Sequence, residues 1–226
     1  MANTHISKDV ARRYQGLEPF VREELDQQID EEFRRRHPNI AMGRPLQHAQ
    51  TDKPGVKQWL QIRDELYLKF ANGAFQPQPK RVVQKDTMLC WAAGLESWLA
   101  VARGINMSQG ELVKKYGLQP DGELDLRKIT DFDRVAVPLR INWIAVAGSR
   151  ITYGLLLDRL TTKGHLLVMY KLTPEVSHTV VVYGIGLPAD GKSTLTIMNP
   201  SADAPFSSVS LQELRHRQLV LIGWKQ

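Results

Sequence analysis

The sequence predicts an α+β fold, with helices first and an antiparallel sheet after them. Three observations lead there. Charged segments with apolar residues about every four positions fill the first third; a strongly apolar helical pattern starts at Cys90; and from His165 onward the texture changes to short β-branched runs separated by turn residues. The 226 residues, 42% of them hydrophobic, suffice to bury a core without staples. No segment reaches the ~18 consecutive apolar residues of a membrane span, so stable membrane insertion is not expected. The net charge is +6, its surplus falling after residue 75, but the basic residues are scattered without aromatic interleaving, which argues against a nucleic-acid partner.

Two parts are expected, 1–75 and 76–226. In the first, "EPFVREELDQQIDEEFRRRHP" reads as a helix over 19–36: Pro19 suits the first turn, acidic residues follow, and arginines close the run before Pro38. Its narrow stripe of Val21, Leu25, Ile29 and Phe33 needs a partner, offered by a second helix with Val56, Trp59, Leu60, Leu66, Tyr67 and Phe70, stopped near Gly73. The stretch between them, rich in proline, reads as a loop.

After the connector "FQPQPKRVV", a helix runs from Cys90 to Gly104 on the spacing of Trp91, Leu95, Trp98, Leu99 and Ala102. Ser108 and Glu111 form a capping-box pattern for the next helix, ended by Gly117. "TYGLLLDRLTTKG" gives a third, and "HLLVMY", "HTVVVYGIG", "STLTIMN" and "QLVLIGW" give strands. Asp131 and Asp133 read as helix-start residues.

The chemistry concentrates in three segments. "QKDTMLCWAAG" places Cys90, the one cysteine, at a helix start, where free amides and the helix dipole favour a thiolate; pairing with an imidazolium there lowers a thiol pKa to ~3.5–7.5. "VSHTVVVYGIG" places His178 at a strand start, and "TLTIMNPS" places Asn199 at the end of the next strand, where its side-chain oxygen can orient the imidazole. A thiolate attacking a carbonyl needs donors for the oxyanion, and the Cys90 amide with the Gln84 side chain form the natural pair.

The order Gln84, Cys90-Trp91-Ala92, then "SHTVVVYGIG" and a strand-terminal Asn199 resembles the papain-like cysteine peptidase superfamily. The short interval from Cys90 to His178 is similar to its compact bacterial branch, the leader-processing peptidases of bacteriocin exporters and the effector proteases of plant pathogens. The resemblance covers residues 80–226 and implies a helical subdomain carrying Cys90, packed on an antiparallel sheet carrying His178 and Asn199, with an extra helical region before it. It implies Gln84 as oxyanion donor, Cys90 as nucleophile, His178 as general base and acid, and Asn199 as orienter, with no cofactor. The third segment ends Asn199-Pro200 where many compact members have Asp-Pro, and the first 75 residues lack the spacing of the classical inhibitory prosegment.

The expected activity is a cysteine endopeptidase with a protein or peptide substrate. A cognate inhibitor, immunity protein or chaperone is a candidate partner, and the absence of a Sec-type signal, the single cysteine and the charged helical first part motivate a bacterial effector or toxin role delivered by a specialised secretion system. Residues 1–75 would then serve targeting, chaperone binding or autoinhibition. The opening "MANTHISKDVARRYQG" lacks a basic stretch and apolar core of Sec type, so delivery is expected by another route after cytoplasmic synthesis. The same residues suit a peptidoglycan amidase or an acyl or amine transferase, and a noncatalytic peptide-binding module is the alternative of another class. A lone cysteine is by itself more often a packing residue. His165, at the start of a neighbouring strand, is the rival imidazole; His5, His37, His48 and His216 read as solvated. With one cysteine and no H-E-x-x-H, no metal is expected.

Overall fold

A computed structural model describes residues 3–42, 54–86, 89–117, 129–173, 176–188, 190–201, 203 and 205–226, with the side chains of 3–7 and 129–131 left aside. Residues 43–53 of the expected loop, with His48, and the side chains of His5 and Asp131 therefore lie outside the described residues.

Two compact units form. The first comprises Met1–Gly73 with Thr152–Gly154 and Gly186–Ser193. It is built on three helices, α1 (Asn3–Gln15), α2 (Pro19–Arg36) and α3 (Pro54–Asn72). The sequence reading gave α2 and α3 but not α1, whose described apolar contribution is little more than Val10 and Tyr14. The α2 stripe of Val21, Leu25, Ile29 and Phe33 is buried, and α2 packs on α3. On α3, Ile62 and Arg63 join the buried face, whereas Leu60 and Leu66 stay half-exposed. Trp59 Nε1 donates to buried Asp30 at 3.0 Å, so the carboxylate enters the core with a partner. Two more carboxylates satisfy backbone amides. Glu24 accepts from Tyr153 and Gly154, both at 2.8 Å, and Glu18 accepts from Ser193 N at 2.7 Å. These bonds explain why two short stretches from late in the chain belong to this unit.

The second unit comprises Ala74–Ile151, Leu155–Ile185 and Thr194–Gln226. Its helices are α4 (Cys90–Arg103), α5 (Gln109–Tyr116), α6 (Ile129–Ala136), α7 (Tyr153–Lys163, whose first two residues fall in the other unit) and α8 (Leu211–Arg215). Its strands are β1 (Ala74–Phe75), β2 (Ile141–Val146), β3 (Leu166–Lys171), β4 (Ser177–Gly186), β5 (Thr194–Met198), β6 (Phe206–Ser210) and β7 (Val220–Lys225). They join one sheet in the order β2-β7-β3-β4-β5-β6, with β1 on β4. The ladders β2–β7, β7–β3, β3–β4, β5–β6 and β1–β4 are antiparallel.

The four strands read from sequence are β3, β4, β5 and β7. The two it missed at length, β2 and β6, end the main strand order, and neither carries a fully buried run: β2 is half-buried after Ile141, and β6 is "FSSVS". Edge strands need bury little, so their apolar signal is weak. One consequence is that β2, lying between helices in sequence, pairs with the final strand β7.

Helix α4 ends as its sequence suggests. Gly104 adopts a left-handed φ of 65°, its N–H bonds Ala100 O, and Ile105 N reaches back to Leu99 O. The capping box at Ser108 and Glu111 forms in full. Trp91, Leu95, Trp98 and Leu99 of α4 share one core with Leu167, Met169, Val181, Met198 and Leu221 of the sheet. The helix that begins at Cys90 is thereby packed on the strands that carry His178 and precede Asn199.

Candidate active site

Cys90 is the first residue of α4, and the preceding Leu89 offers no side-chain cap. The first-turn amides are therefore available to the sulfur. His178 is the second residue of β4, and Asn199 directly follows β5. Cys90 and His178 are each 5% exposed.

The imidazole's tautomer follows from its partners. Asn199 Oδ1 receives Ser201 N–H at 3.1 Å and Ser201 Oγ at 2.9 Å. A backbone N–H only donates, so the Asn199 atom facing it is the oxygen. His178 Nε2 lies 2.9 Å from the same oxygen and must carry the proton there. Nδ1 is left as the basic nitrogen. The Tyr170 ring meets His178 edge-on at 5.6 Å, and the Arg217 guanidinium lies over Tyr170 at 5.2 Å.

Cys90 Sγ donates to Ser177 O at 3.5 Å. The sulfur thus rests on the backbone just before His178. Its ionisation differs from the sequence expectation. Burial pushes the thiol above its ordinary value, and the nearby backbone amides of Thr179, Trp91 and Cys90 only partly oppose this. The helix start is present, but desolvation of the charged form outweighs it. Burial likewise pulls His178 below the ordinary imidazole value; the Asn199 bond opposes and Arg217 adds to the lowering. Both shifts favour the neutral thiol and the neutral imidazole at pH 7.

A pH profile follows. The one-proton state of Cys90 and His178 is lost in acid when His178 protonates, below the usual ~6.5, and in base when the thiol ionises, above the usual ~8.5. The expected kcat/KM profile is a broad plateau whose acid limb lies below pH ~6.5. The alkylation rate of Cys90 by iodoacetamide is expected to keep rising past pH ~8.5. An alkylation rate already level at pH 6 would mean a preformed ion pair instead.

Gln84 lies in the irregular segment before α4. Its N–H bonds Pro200 O at 3.0 Å, which sets it beside the residue after Asn199. Its side-chain Oε1 is buried without a partner among the described residues. The structure therefore joins His178 to Asn199, Cys90 to the backbone just before His178, and Gln84 to Pro200. His165 is engaged elsewhere: its Nε2 meets Pro77 O at 2.7 Å, and its carbonyl accepts Trp98 Nε1 at 2.9 Å. His37 is half-buried against Phe33 rather than solvated, while His216 is exposed. Asp133 accepts Trp143 Nε1 at 3.0 Å.

Thr179, Ser201, Tyr170 and Arg217 were not read as site residues. Ser201 follows Asn199 by two positions, a spacing typical of Asn-led turns and the one signal that was legible. Among the described residues, no group of three or more His, Cys, Asp or Glu side chains is placed to hold a metal, and no helix is long and apolar enough to cross a membrane.

No curated protein is significantly similar to the chain. Among solved structures, the peptidase domain of Streptococcus ComA, a bifunctional ABC transporter involved in quorum sensing, is 21% identical, covering 65% of this chain and 98% of that one at a TM-score of 0.47. A double-glycine-motif protease from an AMS/PCAT transporter, solved with its leader peptide, is 16% identical, covering 67% and 95% at a TM-score of 0.44. The family model described as papain-like cysteine protease AvrRpt2 matches residues 75–218, a stretch that includes Gln84, Cys90, His178 and Asn199. The chain belongs to this papain-like cysteine protease family, and is a cysteine peptidase of papain-like α+β fold.

Proposed function

We propose that the protein is an endopeptidase that cleaves polypeptides through a thioester on Cys90. As Sγ attacks the scissile carbonyl carbon, its proton passes to His178 Nδ1. The carbonyl oxygen, now anionic, receives the Cys90 amide and the Gln84 side chain; a half-turn of that amide replaces the unpartnered Oε1 with Nε2–H. Collapse of the intermediate breaks the C–N bond, and the imidazolium protonates the departing amine. Water then attacks the thioester, giving one proton to His178, and sulfur leaves with that proton. Asn199 holds the imidazole in the tautomer this sequence requires.

The observation that carries the reading is Asn199 Oδ1, shared by Ser201 N and His178 Nε2. It is tested by digesting casein and labelling newly formed amino termini. The expected result is internal cleavage that iodoacetamide abolishes. Release of soluble fragments from peptidoglycan with casein intact would favour an amidase, and product formed only with an added amine would favour a transferase.

The wider role we propose is that of a bacterial effector or toxin delivered into a target cell, with residues 1–75 serving targeting, chaperone binding or autoinhibition. Its support is the resemblance to the effector proteases of plant pathogens. The check is a translocation reporter fused after the full chain; no signal in target cells, with expression intact in the donor, would remove the delivery reading.

A further inference from the structure

Residues 76–85 have no regular secondary structure, apart from their link to β1, yet this segment carries Gln84. Backbone outside a ladder must find partners one by one, and here several come from side chains. His165 Nε2 meets Pro77 O, and Ser97 Oγ donates to Lys80 O at 2.7 Å. Nearest Gln84, one residue supplies two partners. Gln109 Nε2 donates to Val83 O at 2.9 Å, while Gln109 Oε1 accepts from Lys85 N at 3.2 Å. Both ends of one amide thus grip the backbone immediately before and after Gln84, whose own N–H is tied to Pro200 O.

The gripping residue is itself held. Gln109 is 3% exposed and opens α5, directly after the capping box at Ser108. Its N–H, a helix-start amide without an intrahelical acceptor, donates to Glu96 Oε2 at 3.0 Å. Glu96 belongs to α4, and its other oxygen pairs with Lys80 Nζ at 3.0 Å. A continuous set of bonds therefore runs from α4, which begins at Cys90, through Glu96 and Gln109 to the two peptide groups flanking Gln84.

We propose that Gln109 is a positioning residue that sets Gln84 against Cys90 for oxyanion stabilisation. The proposal rests on the reading of Gln84 as oxyanion donor. Its chemical basis is tolerance: a donor stabilises an oxyanion only when its supporting residues hold it to within ~0.5 Å of the productive place. Leucine would fill the volume at 109 and offer neither bond. Glutamate would keep the acceptor for Lys85 N–H and lose the donor to Val83 O.

The test is a double-mutant cycle in the full-length protein. kcat and KM are measured on a fluorogenic peptide copied from a casein cleavage site, per active site titrated with radiolabelled iodoacetamide. Gln84→Ala is expected to lower kcat ~10²-fold with KM little changed. Gln109→Leu is expected to lower kcat ~10-fold or more, Gln109→Glu less, and Gln109→Leu to add under twofold once Gln84 is alanine. Normalising to titrated sites separates a loss of positioning from a loss of folded protein, and Gln109→Glu serves if the leucine variant does not fold. If Gln84→Ala costs ~10²-fold while both Gln109 variants keep kcat within twofold, the positioning proposal is overturned and the Gln84 reading stands. Equal losses from Gln109→Leu in both backgrounds would show a general structural role and also overturn it. If Gln84→Ala itself stays within twofold, the oxyanion reading fails and the proposal fails with it.

Discussion

Replacing Cys90 by alanine is expected to reduce peptide hydrolysis by about 10⁴-fold or more, and replacing His178 by alanine to leave nearly the same residual rate. In the proposed mechanism the two act as one unit: without sulfur there is no nucleophile, and without the imidazole a buried thiol held above its ordinary pKa has no acceptor for its proton. The double variant should therefore lose little more than either single one. The contrast that gives the prediction its edge is His165→Ala. That residue bonds Pro77 O through its ring, so its loss should lower the unfolding temperature while preserving most of kcat/KM per folded molecule. Activity lost with His165→Ala and kept with His178→Ala would refute the assignment. The measurement is kcat/KM on one peptide for all four variants, with thermal unfolding alongside.

Gly94→Ala is expected to damage the site although Gly94 performs no chemistry. Gly94 lies one helical turn after Cys90, so both face β4. A Cβ on Gly94 would stand 2.7 Å from Thr179 Cγ2, with Leu167 Cδ1 behind it at 3.7 Å. Thr179 is 1% exposed and β-branched, so it has little freedom to rotate away. Alanine should favour the helix by about 1 kcal/mol over glycine, but overpacking of this kind costs about 1–3 kcal/mol, and the clash prevails. The relief open to the protein is to lift the start of α4 from β4. Because Thr179 adjoins His178 and the Cys90 thiol bonds Ser177 O on the same strand, that lift moves the sulfur away from the imidazole, and a displacement of ~1 Å can cost ~10²-fold in rate. Adding Thr179→Ser removes Cγ2, keeps the hydroxyl, and should restore most of the activity. An unfolding temperature that rises with kcat/KM unchanged would show that α4 does not depend on this close approach.

Features governed by short-range physics were legible along the chain. Pro19 and the arginines before Pro38 bounded α2, Gly104 and Ser108 marked where α4 stops and α5 starts, and β-branched runs gave the central strands. Because those signals also placed Cys90 at a helix start, His178 at a strand start and Asn199 at a strand end, the candidate site was legible as a set of residues. What joined them was decided by tertiary structure. The edge strands β2 and β6 bury too little to leave a pattern, and only the sheet reveals that β2 pairs with β7. The proton on the thiol depends on how completely packing excludes water, which is why the helix-start rule pointed one way and burial the other. Gln109 looked like any glutamine after a capping serine, and its importance comes from two backbone groups some 24–26 positions earlier in the chain, brought to it by folding. Caps and periodicity act over a few residues, whereas desolvation and hydrogen bonds between distant segments exist only once the chain has packed.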